Sequence, residues 1–171
     1  MHWWDNVLYD TCSLVSLYEV NSVFPGFAKH FPSILTIEET LDRDRLDPKK
    51  GAFFRDRVTL VETPKTESLV ETVVKSKLSK SLSKVDAILY ATALLTKTKV
   101  VTGDARLAKA LEKKGLLAGN MTLALRTLVL EGEISESVCA DILTDLAEKG
   151  EFLLNPNKSQ NWEFLKDYRF P

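Results

Sequence analysis

The chain has 171 residues, with 23 basic and 24 acidic side chains, a formal net charge of −1, 44% hydrophobic and 27% charged residues. That composition suits one folded domain whose core needs no disulfide or structural metal, and it argues against a disordered chain or a wholly cationic nucleic-acid coat. Cys12 and Cys139 match no metal or redox spacing, the start lacks a basic region followed by an apolar stretch, and no apolar run approaches a membrane span of ~20 residues, so a cytoplasmic protein with reduced thiols and no membrane partner is expected.

In chain order, Val7-Leu8-Tyr9 is a short strand signal, and Leu14, Val15, Leu17 and Tyr18 predict a helix that ends before Pro25-Gly26. Ser33 to Thr36 reads as a second strand, followed by a helix over Ile37 to Arg45 that closes before Asp47-Pro48. Val58 to Val61 is a third strand, and Leu69, Val70, Val73 and Val74 have helical spacing. The clearest helix runs from Ser83 to Leu95, with Val85, Ile88, Leu89, Thr92 and Leu95 on one side and small alanines that allow a close approach to a sheet. Lys99 to Thr102 is a buried-strand pattern, and a helix follows from Ala105 to Lys114, closed by Gly115. Met121 to Leu130 and Ser135 to Lys149 predict two helices joined around Gly132. Phe152-Leu153-Leu154 reads as a last short strand, before a polar, aromatic tail over 155–171. The alternation predicts a single domain over 1–171, of three-layer α/β/α architecture, with a mainly parallel sheet and a C-terminal helical pair over about 121–150.

Asp10, Glu39, Asp86 and Asp104 each stand where an apolar run gives way to a helix start. In an alternating fold such junctions gather at the carboxyl edge of the sheet, where α/β proteins bind ligands. Helix capping explains each acid singly: Asp10 and Asp104 suit N-caps, Thr36-x-x-Glu39 has the form of a capping box, and Ser83-x-x-Asp86 is close to one. Capping does not explain convergence. Carboxylates about 4 Å apart repel by roughly 4 kcal/mol at an effective dielectric near 20, and a hard divalent cation, magnesium or manganese, offsets that repulsion. No dinucleotide fingerprint, phosphate loop or zinc-protease motif occurs, and His2 and His30 stand isolated in the sequence.

Four segments taken together resemble the PIN domain, a nuclease fold found in the toxin half of many bacterial and archaeal toxin–antitoxin pairs. They are Leu8-Tyr9-Asp10-Thr11-Cys12-Ser13-Leu14, Thr36-Ile37-Glu38-Glu39, the run from Leu82 through Asp86 to Ala93, and Val101-Thr102-Gly103-Asp104-Ala105-Arg106-Leu107. Leu123 to Gly150 is also similar to the helical extension of some PIN-like toxins. The resemblance implies a magnesium- or manganese-dependent endoribonuclease with Asp10, Glu39, Asp86 and Asp104 as catalytic acids. Asp10, Asp86 and Asp104 are then the principal metal-site groups, Glu39 is a further ligand or water-orienting group, and Thr11, Ser13 and Thr102 support the site. Glu39 is preferred to its neighbour Glu38 for its register from Thr36.

RNA, a cognate antitoxin and a second copy of the chain are the expected partners. Lys75, Lys77, Lys80 and Lys84, the only charges between Glu71 and Asp86, suit phosphate. Trp3 and Trp4 suit either base stacking or packing. Seven acids against Lys149 between Glu131 and Glu151 would keep RNA off the C-terminal helices, whose stripe of Ile134, Val138, Ile142 and Leu146 suits either core or a partner. The rival expectations are a catalytically silent PIN-like binding module and a small-molecule phosphohydrolase.

Overall fold

The computed structural model describes residues 2–42, 46–65, 67–68, 71, 82–151, 153–155, 157 and 159–170. Its elements are β1 (Val7–Tyr9), α1 (Thr11–Val23), a 3-10 turn (Phe27–His30), β2 (Ile34–Thr36), α2 (Glu38–Leu41), α3 (Pro48–Arg55), β3 (Val58–Leu60), α4 (Lys84–Thr96), β4 (Val100–Val101), α5 (Ala105–Glu112), β5 (Ala118–Gly119), α6 (Met121–Leu130), α7 (Glu136–Glu148) and α8 (Trp162–Leu165). The strands form one parallel sheet in the order β3-β2-β1-β4-β5. With helices on both faces, this is the expected α/β/α architecture.

Strand side chains alternate between the two faces, as a pleat requires. Val7, Tyr9, Ile34 and Val101 enter one core with Leu14 and Leu17 of α1, Leu125 of α6 and Ile142 of α7. Leu8 and Val100 enter the other with Leu89 and Tyr90 of α4 and Leu107 and Leu111 of α5. The chain reverses its direction of winding between β1 and β4, which are neighbours in the sheet. A crevice outside the carboxyl ends of those two strands follows from that topology.

Several boundaries differ from the sequence reading. Residues 153 and 154 form a bend and not a strand; the Leu153 carbonyl instead accepts the Thr122 hydroxyl at 2.6 Å. The fifth strand is Ala118–Gly119, two residues long and too short to show a period. Helix α2 is only Glu38–Leu41, while α3 begins at Pro48, with Asp47 capping the Lys50 amide at 2.9 Å. Proline at a first helical turn starts a helix as readily as it ends one. In α4 the buried set is Ala87, Leu89, Tyr90, Ala91, Thr92 and Ala93, and Leu95 is exposed. The helical spacing of Leu69, Val70, Val73 and Val74, and the expected phosphate contacts of Lys75, Lys77 and Lys80, lie outside the described residues.

The C-terminal pair forms as expected, α6 and α7 being joined through Gly132 at φ +75°. Ile134, Ile142 and Leu146 are buried in the first core and Val138 packs against it, so the stripe is core. Trp4 is fully buried, and its indole N–H donates to the His30 carbonyl at 2.9 Å. Trp3 lies on Gly119, so both tryptophans pack inside the protein. Neither cysteine is in a disulfide, and burial followed by the Glu136 charge pushes the Cys139 thiol up to about 12. No helix among the described residues is long and apolar enough to cross a membrane.

A Cβ added at Gly119 would lie 2.1 Å from the Trp3 ring, whereas one added at Gly51 in α3 meets nothing within 4 Å. Gly119→Ala therefore displaces Trp3 from β5 and lowers stability by about 1–3 kcal/mol. Gly51→Ala raises it by ~0.5–1 kcal/mol through helix propensity. Urea denaturation of the two variants checks the contrast, and similar midpoints would refute the tight contact.

Candidate functional site

The carboxyl edge of the sheet carries all four predicted acids. Asp10 follows β1, Glu39 follows β2 within α2, Asp104 follows β4, and Asp86 sits in the first turn of α4. Three of them have helix-start roles. Asp10 Oδ1 accepts the Ser13 amide at 2.7 Å, and Asp104 Oδ1 accepts the Arg106 amide at 2.7 Å. Ser83 accepts the Asp86 amide at 3.2 Å while its hydroxyl donates to Asp86 Oδ2.

Glu39 departs from the capping expectation. The N-cap of α2 is Ile37, which makes no side-chain cap bond. Thr36 is instead turned toward β1 and donates its hydroxyl to the Tyr9 carbonyl at 3.0 Å. Glu39 is half-buried, and its Oε2 is buried with no hydrogen-bond partner. An orphaned carboxylate oxygen is costly to bury, and one at a sheet edge invites a proton, water or cation. Glu38 is exposed, which favours Glu39 as the second acid of the edge.

Asp10 is 2% exposed. Burial raises its pKa above the usual carboxylate range, and the nearby Asp86 charge adds to that rise. The Thr102 hydroxyl, which donates to Asp10 Oδ2, and the Ser13 amide work the other way. The Ser13 hydroxyl also favours the charged form, although it makes no hydrogen bond of ordinary geometry. Thr102 Oγ1 accepts the Asp104 amide at 3.0 Å, so one buried hydroxyl ties Asp10 to the backbone of Asp104. Thr11 is buried at the start of α1, its hydroxyl unpartnered.

Asp104 is paired with an arginine. Arg106 reaches its Oδ2 at 3.0 Å through Nη2 and its Oδ1 at 3.3 Å through Nε. Partial burial opposes the Asp104 charge, but the Arg106 side chain and the amides of Arg106 and Leu107 outweigh it and hold the carboxyl below its usual range. The Arg106 guanidinium also feels the charge of Asp86. Asp10, Asp86, Asp104, Thr102 and Arg106 thus form one electrostatic unit, and Glu39 stands past the neighbouring strand. Lys84 is exposed at the first turn of α4, near this edge.

Among the described residues, no three of the four acids bring ligand oxygens within 4.8 Å of one another. Magnesium does not require that: one or two carboxylates, with waters and substrate phosphate, are its usual ligands. Asp10 and Asp86, close enough for one charge to act on the other, are the pair this edge offers, and Glu39 keeps an unpartnered oxygen. The donor set fits a hard cation, with Asp104 available once Arg106 turns away.

Two contacts at this edge were not assigned by sequence reasoning, Arg106 on Asp104 and Thr36 on the Tyr9 carbonyl. Arg106 has a sequence signal, a guanidinium two residues beyond a capping aspartate, whereas Thr36 carries only the signature of a cap. No protein family matches the chain in comparison with known families, and comparison with curated proteins finds no match either.

A buried acid with a raised pKa destabilises the fold once it ionises. That penalty is absent below the unfolded carboxylate range, near 3.9, and grows as pH rises toward the folded value. Asp10→Asn keeps an acceptor for Ser13 and carries no charge. In metal-free buffer it should be more stable than the parent at pH 7, and the gap should close as pH falls to 4. Chemical denaturation at both pH values measures this; equal stability at pH 7 would show that Asp10 is not strained by its charge.

Proposed function

We propose that the chain is a magnesium- or manganese-dependent endoribonuclease of the PIN type, acting as the toxin of a toxin–antitoxin pair. The observation that carries the reading is the unit at the carboxyl ends of β1 and β4: a sealed Asp10 beside Asp86, with an unsatisfied Glu39 oxygen along the edge. Caps alone need neither burial nor an orphaned oxygen. The strand order and the position of every acid are compatible with the resemblance of the four sequence segments.

A bound divalent cation supplies Lewis-acid activation of water and neutralises charge on the phosphodiester. The chain's own groups do the remaining work. Asp10 and Asp86 hold the cation, and Thr102 fixes the Asp10 carboxylate in one orientation. Glu39 orients a water or takes its proton, and Arg106, 69% exposed, turns from Asp104 to a phosphate oxygen. A cleft of about 390 Å³ adjoins the edge, lined by Ser13, Gly103, Ala105, Asn120, Tyr168 and Arg169 among others. Its guanidinium and aromatic ring suit an unpaired nucleotide. The antitoxin, a homodimer and a cytoplasmic setting rest on the resemblance alone.

The Asp104–Arg106 pair favours a second reading, a silent PIN-like module that binds RNA or protein without cutting. An arginine closed on an acid lowers the charge available to a cation.

Cleavage decides between them. Asp86→Asn preserves the helix start, since Ser83 is the N-cap and the asparagine oxygen can still accept its hydroxyl. Cleavage of a structured RNA pool with magnesium should fall by orders of magnitude in this variant while its circular dichroism is unchanged. Magnesium should also raise the melting temperature of the parent and not of Asp10→Asn/Asp86→Asn. Equal cleavage by parent and Asp86→Asn would reject the catalytic assignment; magnesium binding without parent cleavage would favour the silent module.

A further inference from the structure

On another part of the surface, segments far apart in sequence bring two imidazoles and two carboxylates together. His2 Nδ1 lies 3.1 Å from Glu131 Oε2, and His2 Nε2 lies 3.1 Å from Glu133 Oε1. The second oxygen of Glu133 lies 2.8 Å from His30 Nδ1. Glu131 and Glu133 are in the turn between α6 and α7, and His30 ends the 3-10 turn. We propose that His2, Glu131 and Glu133 bind a zinc-class transition-metal cation, with His30 holding the outer oxygen of Glu133.

The arrangement is built on rigid parts. The His2 ring stacks on Trp4 with centroids 4.3 Å apart and planes 11° from parallel. Trp4 is fully buried and is itself bonded to the His30 carbonyl, so one core residue positions both histidine-bearing segments. The histidine side chains are 19% and 10% exposed. The glutamates are more open, at 48% and 37%, which leaves room for water as a further ligand.

Chemistry selects the occupant. A neutral imidazole has one N–H and one lone pair, yet His2 has a carboxylate oxygen beside each nitrogen. One lone pair therefore faces an anion unless a proton or a metal ion intervenes. Among the described residues neither glutamate has a lysine or arginine partner, so with neutral rings the cluster carries two uncompensated negative charges. One ligand atom from each of His2, Glu131 and Glu133 can be chosen so that all three lie within 4.8 Å of one another. Zinc bonds to nitrogen and oxygen of about 2.0–2.2 Å place tetrahedral ligand atoms about 3.4 Å apart, so the two half-exposed glutamates must turn toward one nitrogen of His2 to close on the ion. A nitrogen ligand favours zinc, cobalt or nickel over magnesium. The His30 contact matches the outer hydrogen bonds that orient metal-bound carboxylates.

The test is calorimetric titration of the full chain, with no affinity tag, using zinc chloride at pH 7.5. In Asp10→Asn/Asp86→Asn, which lacks the sheet-edge acids, one zinc per chain should bind, and cobalt should replace it with visible bands of a four-coordinate ion. His2→Ala should weaken binding at least tenfold, and His30→Ala should weaken it about 10- to 100-fold. Asp10→Asn/Asp86→Asn should leave the His2-dependent binding unchanged, which separates this site from the sheet edge. If His2→Ala fails to fold by circular dichroism, Glu131→Gln, which keeps the side-chain shape, carries the same expectation. Absence of binding heat overturns the site, as does zinc binding that survives His2→Ala or Glu131→Gln but is lost in the aspartate double variant.

Discussion

The ionised form of Asp10 has no bulk water to support it, and the structure around β1 is arranged to supply substitutes. Its amide completes the ladder with β4 by donating to the Val101 carbonyl at 3.1 Å. Its carboxylate takes the Ser13 amide at the start of α1 and the Thr102 hydroxyl from the end of β4. Strand pairing, helix initiation and site geometry therefore meet in one residue. Displacing Asp10 would free a helix start and unbind the Thr102 hydroxyl together. These fixed dipoles do not fully compensate the burial, since the carboxyl remains above its usual range.

A second constraint works from the opposite direction, through the N-terminal segment. Trp4 lies inside the larger core, Trp3 covers Gly119 at the edge strand, and the Tyr9 hydroxyl donates to the Trp4 carbonyl at 3.1 Å. The segment before β1 is thus packed both beneath the sheet and against its last strand. β5 has only two residues, and the Trp3 contact adds to the pairing with β4 that sets its register. The same Trp4 ring places His2 next to the α6–α7 turn.

The parallel sheet, its helical layers and the acids at its edge were legible because each rests on a local rule. Short β-branched runs marked β1 and β4, and polar residues at helix starts marked Asp10, Ser83 and Asp104. What escaped were contacts between residues distant in sequence. Thr36 looks like a cap in sequence, but the neighbouring Tyr9 carbonyl competes for its hydroxyl and wins. β5 was hidden because two residues ending in glycine show no alternation, and its pairing with β4 decides its state. His2 and His30 looked isolated because nothing local relates them; Glu133, 103 residues beyond His30, joins them.

Capping and metal binding are not exclusive uses of a carboxylate, which is why three good caps do not weigh against a cation site. A cap consumes one or two lone pairs of a group that has about four. At Asp10 the cap bond uses Oδ1 and the Thr102 bond uses Oδ2, and each oxygen keeps acceptor capacity. The cap bonds also have a geometric effect: they hold the carboxylate planes fixed relative to α1, α4 and α5. Mutual repulsion could otherwise be relieved by rotating the side chains apart. With rotation restricted, Asp10 and Asp86 retain their repulsion, and relief must come from a proton, from Arg106 or from a cation. Helix caps at a parallel-sheet edge thus fix where these carboxylates sit without using all of their acceptor capacity.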